Sequence, residues 1–190
     1  MKIGSLFSGY GGLDLAVAEH YNASVAWHCE YDDAPAKILE KNFPGIPNYR
    51  DVTTVDFANV EPVDILTGGF PCQDLSIAGK RAGLKDGTRS GLWSEFARAI
   101  ETIKPKLVVI ENVKGILSAK AHSDLEYCPI CLGDGERPNL RALGAVLGDL
   151  ADLGYDAKWT GIRAADADAA HSRYRVFIVA YATNNRLQTD

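Results

Sequence analysis

Leu107-Val108-Val109-Ile110 is an unbroken run of large aliphatic residues, three of the four β-branched. A strand that is apolar on both sides must be covered on both sides, which is how strands of a parallel sheet sit between helices. That run constrains the whole chain. Shorter strand-like stretches precede it at Lys2–Phe7, Ser24–Cys29 and Val63–Thr67. Helix-like stretches lie between them. Leu13–Tyr21 carries Leu13, Ala16 and Val17 on one face. Asp32 or Asp33 can cap a helix that carries Ile38 and Leu39 and ends near Phe43–Pro44. Gly68–Gly69 breaks the third strand, and a helix resumes at about Leu92–Ile103. After the long apolar run, Asn139 can cap a helix with Leu140, Leu143, Leu147 and Leu150 on its face, and Gly154 is placed to end it. Tyr155–Ile162 and Arg175–Ala182 read as late strands paired antiparallel. Alternating strands and helices predict an α/β layered sheet. In such sheets ligands gather beyond the carboxyl ends of the strands.

Composition narrows the class without choosing a function. The chain has 190 residues, 46% hydrophobic and 24% charged, a globular balance that excludes disorder and coiled coil. No apolar run approaches the ~20 residues of a bilayer span. The first residues, Met1–Gly12, have no apolar signal-peptide core, so a cytoplasmic protein in a prokaryote or viral host is expected. With only 4 cysteines, reduced thiols are expected rather than a disulfide framework. The formal charge of −5 places any nucleic-acid contact on a local patch or a partner.

Four segments that follow strands carry chemistry. Phe7-Ser8-Gly9-Tyr10-Gly11-Gly12 is a glycine turn between a strand and a helix, where backbone can approach a cofactor closely. Its third glycine comes too early for the dinucleotide fingerprint. Glu30 ends the second strand, where a carboxylate can take both hydroxyls of a ribose. Asp51 lies past the next helix, near a possible third strand. Turn and two acids suggest an adenosine-containing cofactor; the plain alternative is a tight turn with two surface acids.

Gly69-Phe70-Pro71-Cys72-Gln73 places a cysteine after a buried strand, at the head of a glycine-rich loop. A thiolate is a strong nucleophile once nearby positive charge lowers its pKa. Lys80, Arg81, Lys85, Arg89 and Arg98 outnumber Asp86 and Glu95 there, so the loop could meet phosphates and close over a substrate. The alternative is an inert buried thiol beside a solvated loop. Glu111-Asn112-Val113 directly follows the apolar run, where low-dielectric surroundings would raise a carboxyl pKa and suit it to proton donation; a helix-capping acid is the alternative. His171-Ser172-Arg173-Tyr174-Arg175 enters the last strand, and two arginines at i, i+2 share a face. They could hold carbonyl or phosphate oxygens, or form a surface basic pair.

In this order the segments resemble the cytosine-5 DNA methyltransferase family, over about Lys2–Ala182. Ser5–Leu15 resembles its cofactor-binding first motif, and Gly68–Ser76 (GGFPCQDLS) its Pro-Cys catalytic loop. Glu111-Asn112-Val113 resembles its Glu-Asn-Val motif, and His171–Arg175 its Gln-x-Arg-x-Arg motif, with His171 at the usual glutamine.

The resemblance implies a Rossmann-like S-adenosylmethionine-dependent methyltransferase domain over residues 1–190, with helices on both sheet faces. It implies transfer of a methyl group from S-adenosyl-L-methionine to C5 of cytosine in double-stranded DNA, as in restriction–modification. Cys72, Glu111, Arg173 and Arg175 would be catalytic. Phe7, Gly9, Gly11, Gly12, Glu30, Tyr31, Asp51 and Leu92 would bind the cofactor. Pro71, Gln73, Ser76, Lys80, Arg81 and Arg89 would meet the DNA near a flipped-out base. Two other functions stay open: methylation of cytosine in tRNA, and a non-catalytic module that binds cofactor or DNA and regulates a partner.

Two departures stand out. Cys128-Pro129-Ile130-Cys131 lies in an inserted loop at 120–138 and has the spacing of half a zinc site, although a free pair is the favoured reading; Cys128 and Cys131 are weak metal candidates, and no metal is expected. The family also continues past the arginine motif with a target-recognition region and a closing segment. This chain ends at Asp190 with neither. The expectation is therefore a split-enzyme subunit with a partner that reads the target, or a piece of a longer protein, against a minimal protein acting alone. A missing closing segment should leave apolar surface exposed near the first motif.

Overall fold

The computed structural model describes residues 1–71, 91–121 and 140–183. Its centre is a six-stranded sheet built from β1 (Lys2–Leu6), β2 (Ser24–Cys29), β3 (Ile65–Gly68), β4 (Leu107–Val113), β7 (Tyr155–Arg163) and β8 (Tyr174–Ala182), in the order β2-β1-β3-β4-β8-β7. β2, β1, β3 and β4 run parallel, and β8 inserts antiparallel between β4 and β7. The helices are α1 (Gly12–Tyr21), α2 (Asp33–Asn42), α3 (Leu92–Ile103) and α4 (Ala142–Asp152). This is the expected α/β sheet, with its late strands paired antiparallel.

The central strands are apolar because helices or strands cover them. Leu66, Val108, Ile110, Val176, Ile178 and Ala180 face α3 and α4, which contribute Trp93, Phe96, Ile100, Val146 and Leu150 to one core. On the opposite face, Ile3, Ile65, Leu107 and Val109 pack against Val17 of α1. α3 is strongly amphipathic by sequence: Trp93, Phe96, Ala99 and Ile100 recur at helical spacing and are all buried. Gly154, at φ 86°, ends α4, and its N–H bonds the Ala151 carbonyl.

Several boundaries differ from the sequence reading, each for a local reason. β1 stops at Leu6, because Phe7 turns into the left-handed region at φ 52°. β4 runs on to Val113, so Glu111-Asn112-Val113 lies within the strand and not after it; pairing with Val176 and Phe177 of β8 carries the strand onward. β8 begins at Tyr174, which leaves Arg173 just before the strand. No third strand forms near Asp51; Asn48 makes a single parallel bridge to His28 instead. Asp32 is the residue before α2 but makes no side-chain cap bond. α4 follows a two-residue strand, β6 (Leu140–Arg141), which pairs with β5 (Lys120–Ala121). That pairing brings together the two ends of the segment at 122–139, which lies outside the described residues together with Asn139, Cys128 and Cys131. No helix among the described residues is long and apolar enough to cross a membrane.

Candidate active site

Two adjoining cavities open at the carboxyl ends of β1 to β4. The first, about 490 Å³, is lined by Phe7, Glu30, Tyr31, Asp51, Pro71 and Leu92, among others. The second, about 370 Å³, runs from the glycine turn across Gly68 and Gly69 to Glu111 and Arg173. Phe7 and Gly69 line both, so the two form one elongated site.

Backbone conformation shapes the floor. The Gly11 N–H bonds the Ser8 carbonyl at 2.9 Å and closes the turn. Gly11 sits at φ 79°, and a Cβ there would lie 2.6 Å from the Phe43 ring, so no other residue fits. Gly9 donates its N–H to Glu30 Oε2 at 2.7 Å, and Asp32 N–H bonds Glu30 Oε1 at 2.9 Å. The Glu30 backbone is tied to the Asn48 side chain in both directions. Glu30 is thus a buried carboxylate fixed by two amides before any ligand arrives, with lone pairs left on both oxygens. Phe7 stacks at 6.4 Å on Phe96, which holds its ring at the junction of the two cavities. Asp51 is half-buried; Thr53 bonds it through hydroxyl and N–H and holds its carboxyl below the usual range. Burial, then the nearby Asp51 and Glu30 charges, pushes the Cys29 thiol up to about 12, so it is an inert wall of the site. An aromatic face, a pre-fixed carboxylate and a second acid suit an adenosine: stacking for the base, acceptors for ribose hydroxyls and an exocyclic amine.

At the far end, Glu111 forms an ion pair with the Arg175 guanidinium. Its side chain is 28% exposed, so it is less shielded than a strand end in a dry core would make it. A Cβ on Gly69 would come within 3.0 Å of Glu111 Oε2. The glycine therefore lets the chain leading to Pro71 pass directly over the carboxylate. Asn112 is buried, and its side-chain amide donates to the Phe70 carbonyl at 2.9 Å. It pins the same stretch to β4. Arg175, on the strand, contacts Glu111 directly, and Arg173, just before it, lines the second cavity together with Glu111.

The family model for C-5 cytosine-specific DNA methylase matches residues 1–189. The chain belongs to that family.

Among curated members, the Type II methyltransferase M.NlaIV of Neisseria lactamica is 32% identical over 183 residues, covering 94% of this chain and 40% of that protein. M.Eco47II of Escherichia coli is 44% identical over 123 residues. The chain thus spans about two-fifths of the length of the first of these relatives. Among solved structures, a DNA modification methyltransferase encoded within an E. coli prophage superposes with a TM-score of 0.69 at 23% identity, over 100% of this chain and 49% of that one. S. pombe Dnmt2 methyltransferase gives 0.68 at 18% identity, over 96% and 51%. At those identities the likeness establishes the methyltransferase fold.

Phe7, Glu30, Tyr31, Asp51, Pro71 and Leu92 all line the first cavity, and Phe7, Gly9, Gly12, Glu111 and Arg173 the second. Tyr31 is 70% exposed and stands at the rim. Cys72, Gln73, Ser76, Lys80, Arg81 and Arg89 lie outside the described residues. Three residues of the site were not singled out from sequence. Asn112 and Gly69 stand in the sequence only as members of motifs, Gly69 also as a strand breaker. Asp14 falls inside the Ser5–Leu15 motif without a role of its own, although a carboxylate two places after a double glycine is a legible signal. It is 1% exposed and lines the second cavity.

Proposed function

We propose that this chain forms the cofactor-binding and catalytic part of a DNA (cytosine-5-)-methyltransferase of restriction–modification type, acting in the cytoplasm. The observation that carries the proposal is the meeting of Glu111, Arg175 and the Gly69–Pro71 backbone at the far end of the two joined cavities. The Pro71-Cys72 step begins where the Asn112 bond holds the chain.

Phe7, Glu30 and Asp51 would hold the adenosine of S-adenosylmethionine, with Tyr31 and Leu92 closing its edges and the Gly9–Gly12 turn beside its amino-acid end. That cofactor supplies an electrophilic methyl group on a sulfonium. Cytosine C5 is a poor nucleophile, and the chain's own residues would change that. The Cys72 thiolate adds to C6 of a flipped-out base, and the displaced electron pair makes C5 an enamine carbon. Glu111 hydrogen-bonds or protonates N3, so negative charge does not build on the ring. Arg175, in an ion pair with Glu111, would bind the base carbonyl, and Arg173 would support the loop and phosphates. With the methyl group taken up by C5 and a neutral thioether left on the cofactor, loss of the C5 proton and expulsion of Cys72 would restore the aromatic ring. Pro71, Gln73, Ser76, Lys80, Arg81 and Arg89 would line the DNA side of this step.

Target recognition would need polypeptide beyond these residues, on the same chain or on a second subunit. Two observations support this. The chain spans 40% of M.NlaIV. An apolar groove of about 560 Å³ also opens between α1 and β8, lined by Leu13, Val17, Trp159, Ile162, Phe177 and Tyr181. It lies beside the first motif, where a closing segment would pack.

The test is transfer of labelled methyl from S-adenosylmethionine to duplex DNA or to tRNA, with Cys72→Ser as control. Label on DNA cytosine that disappears in the control supports both activity and the nucleophile. Cofactor binding without transfer supports a need for further polypeptide. Label on tRNA alone, or no cofactor binding, overturns the proposal.

A further inference from the structure

Asp51 is offered to the first cavity by a segment that no strand supports. Past Asn48, which makes the single bridge to His28, the chain has no sheet pairing until β3. The turn at Asp51 is closed locally by bonds from Thr53 and Thr54. Such bonds give the turn its shape but do not tie it to the rest of the fold. Two side chains from other elements hold the carbonyls on either side of Asp51. The Cys29 thiol donates to the Arg50 carbonyl at 3.2 Å. Arg98 Nη2 donates to the Val52 carbonyl at 2.8 Å, and its Nη1 to the Val55 carbonyl at 3.0 Å. The same guanidinium pairs with Glu95 at 2.7 Å and lies 4.6 Å over the Phe57 ring.

Arg98 therefore stands apart from the loop cations with which the sequence groups it. It lies on α3, and its side chain is only 21% exposed. A lysine could not take its place. An ammonium is a point charge, whereas the planar fork of a guanidinium reaches two carbonyls three residues apart and keeps its carboxylate partner. α3 also begins at Leu92, which lines the first cavity. One helix thus sets Leu92 directly and Asp51 through Arg98. We propose that Arg98 is a positioning residue for adenine recognition, holding Asp51 where it can select a purine that carries a 6-amino group. This rests on the cofactor reading above, in which Asp51 accepts the exocyclic amine. Thr53 favours the ionised form of Asp51, so that carboxylate accepts hydrogen bonds and donates none. Its bond to the amine forms only within a few tenths of an ångström of the right distance, and a turn left free to drift would lose it. Arg98 itself touches no atom of the cofactor.

The experiment measures dissociation constants of S-adenosylhomocysteine and its 6-deamino analogue by calorimetry, for the full chain and for Arg98→Gln and Arg98→Lys. The two ligands differ only in the amine, which a hydrogen replaces in the analogue. Thermal unfolding of each variant is checked alongside. If Arg98→Gln does not fold, Arg98→Lys, which keeps a cation beside Glu95, decides. The expected result is that the wild type favours the amine, and that both variants shrink this preference by about three- to tenfold, part of the value of one hydrogen bond to a charged acceptor. A general loosening of the fold would weaken both ligands equally. An unchanged ratio in a folded variant therefore overturns the role of Arg98 and leaves the cofactor reading intact. A wild type that binds neither ligand, or binds both equally, overturns the reading of Asp51 and the inference with it.

Discussion

The two faces of the sheet at its β4–β8–β7 end contrast sharply. On the inner face Val176, Ile178 and Ala180 are all 0% exposed beneath α3 and α4. On the outer face Phe177 and Val179 are half-buried, and Tyr181 is exposed beside α1. Adjacent residues of one strand thus live in different solvents. The same division runs across the sheet. The inner face is almost wholly aliphatic and aromatic. The outer face carries Ser5, Thr67, His28, Asp14 and Glu111, along with the open groove. One face holds the fold together; the other holds the chemistry and offers a place for more protein.

Several measurements would break or sharpen that contrast. The largest effect belongs to the inner face. Ile178→Ala should cost about 3–4 kcal/mol in denaturant unfolding, because the cavity it leaves lies between a strand and two helices that cannot collapse. Val179→Ala, one residue along, should cost roughly 1 kcal/mol or less. Equal costs would mean that the outer face is already covered.

The second effect is a pH dependence. Burial holds His28 at about 4 in the folded chain, against about 6.5 when unfolded. The unfolded state therefore binds the extra proton first as pH falls. Stability from this residue is full above pH 6.5 and drains away toward pH 4, by up to about 3 kcal/mol. His28→Leu should flatten the unfolding free energy across that window. A profile that stays steep would place the acid sensitivity elsewhere.

Asp14 runs the opposite way. Burial raises its carboxyl pKa, so its ionised form is a liability to folding above the normal carboxylate range, and that liability grows as pH rises through the shifted value. Asp14→Asn should unfold at an equal or higher temperature than wild type near pH 7. A clear fall would make the Ser5 and Thr67 bonds the main reason for the residue. The smallest effect is expected at the groove. Trp159→Ser should change stability by no more than about 0.5 kcal/mol, while it lowers binding of an apolar dye. A large loss would show that Trp159 is part of the core.

Much of this architecture is readable along the chain. Leu107–Ile110 announced a strand covered on both sides, and Trp93, Phe96 and Ile100 announced an amphipathic helix, because burial writes its period into the residues. Ser24–Cys29 and Leu92–Ile103 form the elements expected of them. Errors fell where long-range pairing decides. Glu111 is on a strand because β8 lies beside it, and the segment before Asp51 forms no strand because it makes only the single Asn48–His28 bridge to β2.

By itself, then, the sequence determined the order of strands and helices, the glycine turn, and the acids and arginines that the family resemblance gathers into one site. These are local: a turn needs its glycine, and a buried strand its aliphatic run. Only the tertiary structure decided that Asp14 meets two hydroxyls and, among the described residues, no cation, that Asn112 holds the chain before Pro71, and that one sheet face stays open. Those facts depend on which neighbours a side chain meets, and such neighbours are 53 residues apart for Asp14 and Thr67 and 42 for Asn112 and Phe70. Periodicity reports that a residue is buried; it does not report what it is buried against.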